Sequence, residues 1–314
     1  MTIRMKGVIL AIAAVGLIFM GGCALNYTVK TPTPSALPYT DKADEETALK
    51  IVDQRMGDDK KFSVGRAKVN LVNISDEMAF LSENLVNELN SRGIAAITSD
   101  ADDAALLFTV RKYRVRNHQS TGFSPFQTAI IVGGDFVSNG ESKKLAFYFR
   151  IGKVPIWSMK EVVDPCYNIP LSLMVKELAS KINRFSFGLQ MPREKVEELV
   201  QEIQGSDDNF LFMKVLELGY TNHPAAVGPL LQLADHSDGY VRASAICSLG
   251  VLGAVDQFEF LKKCYYTRDD DEKLMALKSI GDLNTPESRN FLRSVKNSPD
   301  YGHARIREVL DLFL

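Results

Sequence analysis

Gly219, Gly250 and Gly281 stand at one interval (250−219=31 and 281−250=31), and other positions keep it too. Leu230, Leu261 and Leu292 share it, as do Val215, Ile246 and Leu277, then Leu218, Leu249 and Ile280, then Leu233, Cys264 and Val295. A fixed period of this size means a supersecondary unit copied along the chain. Each copy is too small to bury its own apolar faces and must stack on the next. Within a unit the apolar residues follow helical spacing on both sides of the glycine, so residues 240–250 read as one helix and residues 258–264 as a second. The glycine is expected as a helix C-cap, because it takes a left-handed backbone without a Cβ penalty.

The run Asp238-Gly239-Tyr240-Val241-Arg242, followed by Ala245 and Leu249-Gly250, resembles a HEAT-like repeat of the short variety also found in phycobilisome lyases. The neighbouring units depart from it. Lys273-Leu274-Met275 stands where Val-Arg is expected, and the last unit, residues 303–314, stops before its glycine. The resemblance covers about the final third of the chain and implies a ridged surface that binds a protein partner.

At the other end, Arg4 and Lys6 precede an uncharged apolar run over residues 7–20, the pattern of an export signal. Met20-Gly21-Gly22-Cys23 then resembles the bacterial lipobox, which implies removal of residues 1–22 and acylation of Cys23. Several acyl chains would hold the protein at a membrane through Cys23 far more firmly than one. The next residue is Ala24, not the Asp associated with inner-membrane retention, so the resemblance implies the periplasmic face of an outer membrane. An uncleaved membrane-spanning helix is the alternative, since the uncharged stretch runs on to Val29. Residues 23–46, with Thr-Pro-Thr-Pro, Ser35 and Pro38, read as a flexible lipidated tether.

Residues 47–190 carry mixed signals and read as an α+β domain. Strands are expected at residues 48–55, 94–98, 106–116 and 145–154, with a continuation at 156–163. Helices are expected at 75–92, stopped by Gly93, and at 171–187. Ile51-Val52-Asp53-Gln54-Arg55, Gly65, Leu89-Asn90-Ser91-Arg92-Gly93-Ile94 and Ala104-Ala105-Leu106-Leu107 resemble the YajG-like periplasmic lipoproteins, a resemblance that implies compartment and fold but no activity. The fold class is thus an α+β domain followed by an all-α HEAT-like helical-repeat domain at residues 191–314.

A net charge of −2 and a pI near 6.1 give no electrostatic footing for nucleic acid. Cys166, Cys247 and Cys264 lack CxxC spacing, and His118, His223, His236 and His303 are scattered, so neither a metal nor a cofactor is expected. Cys247 and Cys264 fall where helices want small apolar residues and read as buried thiols, a disulfide between them being the alternative. Asp53 and Arg55 share a strand face and read as an ion pair or a ligand-binding pair. Lys112, Arg114 and Arg116 line one strand face, for a solvated surface or for anionic groups. The apolar stretch over residues 122–140, with Phe123, Phe126, Ile130 and Ile131, reads as a helix packed on the sheet or as an exposed patch for a partner or membrane. Asp269 to Glu272 read as charges at a helix N-terminus. No catalytic constellation emerges, so a non-enzymatic scaffold or assembly factor is the expectation. An auxiliary protein of envelope lipid or glycan transport, and an enzyme of unknown reaction, are the alternatives.

Overall fold

The computed structural model describes residues 25–314 apart from residues 37, 122, 123, 155, 157 and 207. Cys23, the signal segment and Phe123 lie outside the described residues. A short parallel pair, β1 (Leu25–Tyr27) and β4 (Val69–Leu71), stands beside a mixed sheet. In that sheet β2 (Ala43–Asp53) runs parallel to both β5 (Ile94–Thr98) and β6 (Leu106–His118). β3 (Ser63–Gly65) pairs with the far part of β6, while β7 (Phe126–Ser138) and β8 (Glu141–Lys153) complete an antiparallel meander. The order is β5-β2-β6-β7-β8.

Parallel neighbours need a crossover. Here α1 (Glu77–Ser91) supplies it, begun by Asp76, whose carboxylate accepts from the amides of Met78 and Ala79, and ended before Gly93 at φ +92°. Leu81, Leu85 and Leu89 of α1 and Leu178 and Ile182 of α2 (Ile169–Ser186) are buried with Phe108, Val110, Ile130 and Phe147 of the sheet in one core cluster. A second cluster threads the helical repeats and takes Ala129, Ile131, Ala146 and Tyr148 from the opposite sheet face. Among the described residues, no helix is long and apolar enough to cross a membrane.

Three expectations are corrected. Among its described residues, the apolar stretch at 122–140 is neither a helix nor an exposed patch. Its described part is β7, hydrogen-bonded on both edges and buried on both faces, which explains a nearly continuous apolar run. The strand continuation at 156–163 is replaced over Met159–Val162 by a 3-10 turn that Ser158 caps. Nor do residues 25–46 form a tether: Tyr27, Val29 and Tyr39 are buried, and Ser35 donates to Glu88 Oε1 (2.6 Å) while its amide reaches Glu88 Oε2 (2.9 Å). Arg92, buried beside them, donates to Glu88 at 2.7 Å, to Ser35 Oγ at 2.9 Å and to the Tyr220 carbonyl at 3.2 Å. The Pro-rich composition hid these anchors.

The repeats begin after α3 (Arg193–Gln204) with the pair α4 (Leu211–Gly219) and α5 (Val227–Leu233). They continue with α6 (Gly239–Leu252) and α7 (Phe258–Thr267), α8 (Asp270–Leu283) and α9 (Pro286–Lys296), and a last helix, α10 (Ala304–Leu310). First helices stack on first helices, α4 on α6, α6 on α8 and α8 on α10. The recurrent glycines sit at these crossings and not at C-caps. A Cβ on Gly219 would come within 2.6 Å of Ser248, one on Gly250 would overlap Ser279, and one on Gly281 would meet the Phe313 ring at 2.5 Å. The facing serines bond across the same crossings, Ser248 to the Val215 carbonyl (3.1 Å) and Ser279 to that of Ile246 (2.8 Å). The left-handed positions keep the period elsewhere, at Asn222, Gly253 and Asn284 (253−222=31, 284−253=31).

Gly250→Ala is therefore expected to cost about 1–3 kcal/mol through overpacking, seen as a lower thermal midpoint. Gly228→Ala, with nothing within 4 Å of the added carbon, should leave the midpoint unchanged or slightly raised. Equal losses at the two sites would refute the packing role.

Candidate functional site: a cleft between the repeat helices and the sheet

The strand registers bring Lys112, Arg114, Arg116 and Ile131 to one sheet face, with Arg114 opposite Ile131 and Arg116 opposite Ala129. The chain's own C-terminus covers that face. Arg116 donates to Glu308 Oε1 at 2.7 Å, and Gly133 leaves the room that the Leu312 side chain occupies. Arg114 pairs with Asp59 at 2.9 Å and Lys112 approaches the same carboxylate at 4.0 Å. Phe126 and Ile130 belong to the opposite core and are fully buried. These candidate contacts to a partner are therefore corrected: Phe126, Ile130 and Ile131 have no free surface, and the three cations are engaged within the fold. Asp53 and Arg55 form a two-point ion pair (2.9 and 3.0 Å) that Glu77 extends, and the Arg55 hydrogen bond holds the Asp53 carboxyl below its usual range.

Where α2 meets α6 and α8, Glu177, Lys181, Lys278 and Asp282 lie 0–1% exposed. Lys181 donates to Glu177 and Asp282, both at 2.6 Å, and to the Ala146 carbonyl of β8 at 2.7 Å. Lys278 donates to Glu177 at 2.5 Å, to Asp282 at 2.8 Å and to Cys247 Sγ at 3.3 Å. Each ammonium thus finds three acceptors for its three protons. Arg184 bridges alongside to the carbonyls of Gly250 (3.3 Å) and Asp282 (2.8 Å), and burial brings it down to about 10. Burial drives the Asp282 carboxyl upward, but Lys181 and Lys278 overturn this and hold it below the ordinary carboxylate range. The sequence signal for this cluster was the pair of i,i+4 matches, Glu177 with Lys181 and Lys278 with Asp282, on otherwise apolar helices.

Above the cluster a cleft of about 500 Å³ opens between the N-terminal ends of α6 and α8 and the Tyr148–Phe149–Arg150 segment of β8, with Cys247 on its floor. An aromatic row leads out of the core to its mouth. Phe147 stacks on Phe149 (6.3 Å), Phe149 on Phe212 (6.2 Å), and Phe212 meets Tyr240 (5.9 Å) and Phe210 (6.2 Å). Tyr240 is 55% and Phe210 46% exposed. Asp238 and Asp269 cap the two helices, accepting from the amides of Tyr240, Val241 and Glu272, so these helix ends meet a carboxylate already in place. The acid run thus sits in the first turn of α8, and Asp271 also meets Arg305 at 3.0 Å and Arg150 at 3.4 Å. The Cys247 thiol, pushed up to about 11 by burial, stays protonated at neutral pH. Cys166, Cys247 and Cys264 are all buried and free. Sequence reasoning missed Tyr240, Phe210 and Phe149, because two precede or open repeat helices and the third lies on a strand, and only the fold brings them together.

The family profile of HEAT repeats matches residues 196–276, from within α3 to within α8. No curated protein matches the chain. A crystal structure of an uncharacterized protein aligns over 52% of this chain and 99% of its own, at 12% identity and a TM-score of 0.30. HEAT repeats are consistent with a scaffold for protein interaction.

Lys278→Met is expected to cost on the order of 3–5 kcal/mol, because Glu177 and Asp282 lose a buried counterion. The double variant Lys278→Met with Asp282→Leu should lose less than Lys278→Met alone in denaturant titration. Asp282 has a lowered folded pKa, so its contribution is present above the unfolded value of 3.8 and is lost as pH falls below that value through the folded one. In Asp282→Asn the slope of stability against pH in that acidic window should flatten.

Proposed function

We propose that this protein is a bacterial lipoprotein, exported by residues 1–22, acylated at Cys23 and held at the periplasmic face of an outer membrane. There it acts as a binding scaffold and not as a catalyst, and its cleft docks a polypeptide partner. The aromatic row carries this reading: half-exposed Tyr240, with Phe149 beside it in the lining and Phe212 packed behind both, offers a rigid apolar anchor at the mouth of a preformed cleft. Aromatic side chains with buried support supply most of the energy at protein interfaces. A binding role also suits a cleft whose thiol is raised and whose helix ends are capped from within. Transport of envelope lipid or glycan drew its support from the apolar stretch and the basic strand, which here face the chain's own interior and C-terminus.

A photo-crosslinking residue at position 240 of the full chain, expressed in its own envelope, should give a discrete protein adduct. The same residue at Tyr266, 67% exposed on α7, should give none. Phe149→Ala, in the lining of the cleft, should weaken the adduct about tenfold or more, the scale of an interface hot spot. Adducts that are equal from the two positions, or indifferent to Phe149, would remove the cleft as the docking site. Cys23→Ser should release the protein from the membrane fraction.

A further inference from the structure

Only Ala24 separates Cys23 from Leu25, the first residue of β1. Whatever conformation the link takes, a residue spans at most about 3.6 Å, so the Cα atoms of Leu25 and Cys23 lie within about 7 Å. Leu25 is fixed in the fold: its amide donates to the Lys68 carbonyl at 2.8 Å and it pairs with Val69. The turn that carries Arg66 and Lys68 follows Gly65, which lies against Asn117 near the end of β6. That end of β6 faces the start of β7, His118 opposite Gln127, and β7 in turn sets Phe126 opposite Lys153 at the end of β8. One end of the sheet thus collects the N-terminus, the turn with Arg66 and Lys68, and Val154, which is 59% exposed. Among the described residues no acid pairs with Arg66 or Lys68, both exposed, whereas Lys30 close by is neutralised by Asp164 at 2.9 Å. The opposite end is the β7–β8 turn at Asn139 and Gly140, about 40 Å away at about 3.3 Å per strand residue.

We infer that this end of the sheet is a membrane-contacting surface, in which Arg66 and Lys68 meet the phosphates of anionic phospholipid headgroups. The inference rests on the lipid-anchor reading. With acyl chains on Cys23 in the bilayer, the backbone at Lys68 is held within about 12 Å of the residue that bears them, about one and a half Debye lengths at physiological ionic strength. Two unpaired cations on that turn, carried on long side chains that reach several ångströms further, are attracted to an anionic leaflet, each by about 1 kcal/mol, or roughly fivefold in population. The protein stands directly on the headgroups.

The test uses the full chain, processed and acylated, in vesicles of phosphatidylethanolamine and phosphatidylglycerol that contain a headgroup nitroxide lipid. A fluorophore is placed through Val154→Cys or Ser142→Cys, at the two ends of β8. Strong quenching at 154 and little at 142 is expected, with the quenched population at 154 falling about fivefold for each of Arg66→Gln and Lys68→Gln, and also when phosphatidylcholine replaces phosphatidylglycerol. Equal or weak quenching at both positions, in protein whose mass shows the acyl chains, overturns the surface and leaves the anchor standing. Quenching at 154 that ignores both substitutions and the lipid swap overturns the role of the cations. A mass without acyl chains overturns the anchor, and the surface with it.

Discussion

Moving a carboxylate or an ammonium out of water costs several kcal/mol even after the protein relaxes, and this chain does so four times at one place, with Glu177, Lys181, Lys278 and Asp282. The cost is tolerable only if all four arrive together, two from α2 and two from α8, and only if Ala146 of β8 and Cys247 of α6 accept the remaining protons. The cluster therefore works as a register pin. It selects one placement of the helical repeats on the α+β domain, where apolar packing alone would accept neighbouring ones. The cleft inherits its shape from that placement, since its floor is Cys247 and its walls are α6, α8 and β8.

The repeat architecture was legible because it is periodic, and a period survives divergence at individual positions. The meaning of the recurrent glycine was not. A glycine that ends a helix and one that admits a neighbouring helix look alike in one dimension, and only Ser248 and Ser279, facing Gly219 and Gly250 across the crossings, separate the two. The residues with a left-handed backbone, Gly253 and Asn284 at C-caps and Asn222 in the turn after α4, kept the same interval in plain sight. In the α+β domain, alternation marked the half-buried strands, while β7, buried on both faces, lost the alternation that identifies a strand. Asn139-Gly140, with φ of +52° and +75°, was the missed hairpin signal between β7 and β8.

The candidate site was less legible than the fold, for a physical reason. Basic and apolar residues look available to a partner when the rest of the chain is out of view, and here the rest of the chain is the partner. Lys112, Arg114, Arg116 and Ile131 share a face as strand geometry dictates, but Asp59, Glu308 and Leu312, between 50 and almost 200 residues distant in sequence, occupy it. Conversely, the aromatic row at the cleft draws Phe149 from a strand and Phe212 and Tyr240 from two different repeat units, so no local window contains it.

The docking of the last helix also bears on how such a chain can change over generations. An open stack of helix pairs tolerates duplication or loss of a unit, because each pair touches only its neighbours. Here Phe313 packs against Gly281 while Leu312 sits on Gly133 in the sheet, and Phe212 of α4 stacks on Phe149 of β8, so the stack touches the α+β domain at well-separated points. An added pair would carry the terminal residues off the sheet by about 10 Å, one helix width, and a lost pair would leave that face bare. In this geometry a change in the number of units disturbs the sheet packing as well as the stack, whereas a change in the outer helices or loops disturbs neither.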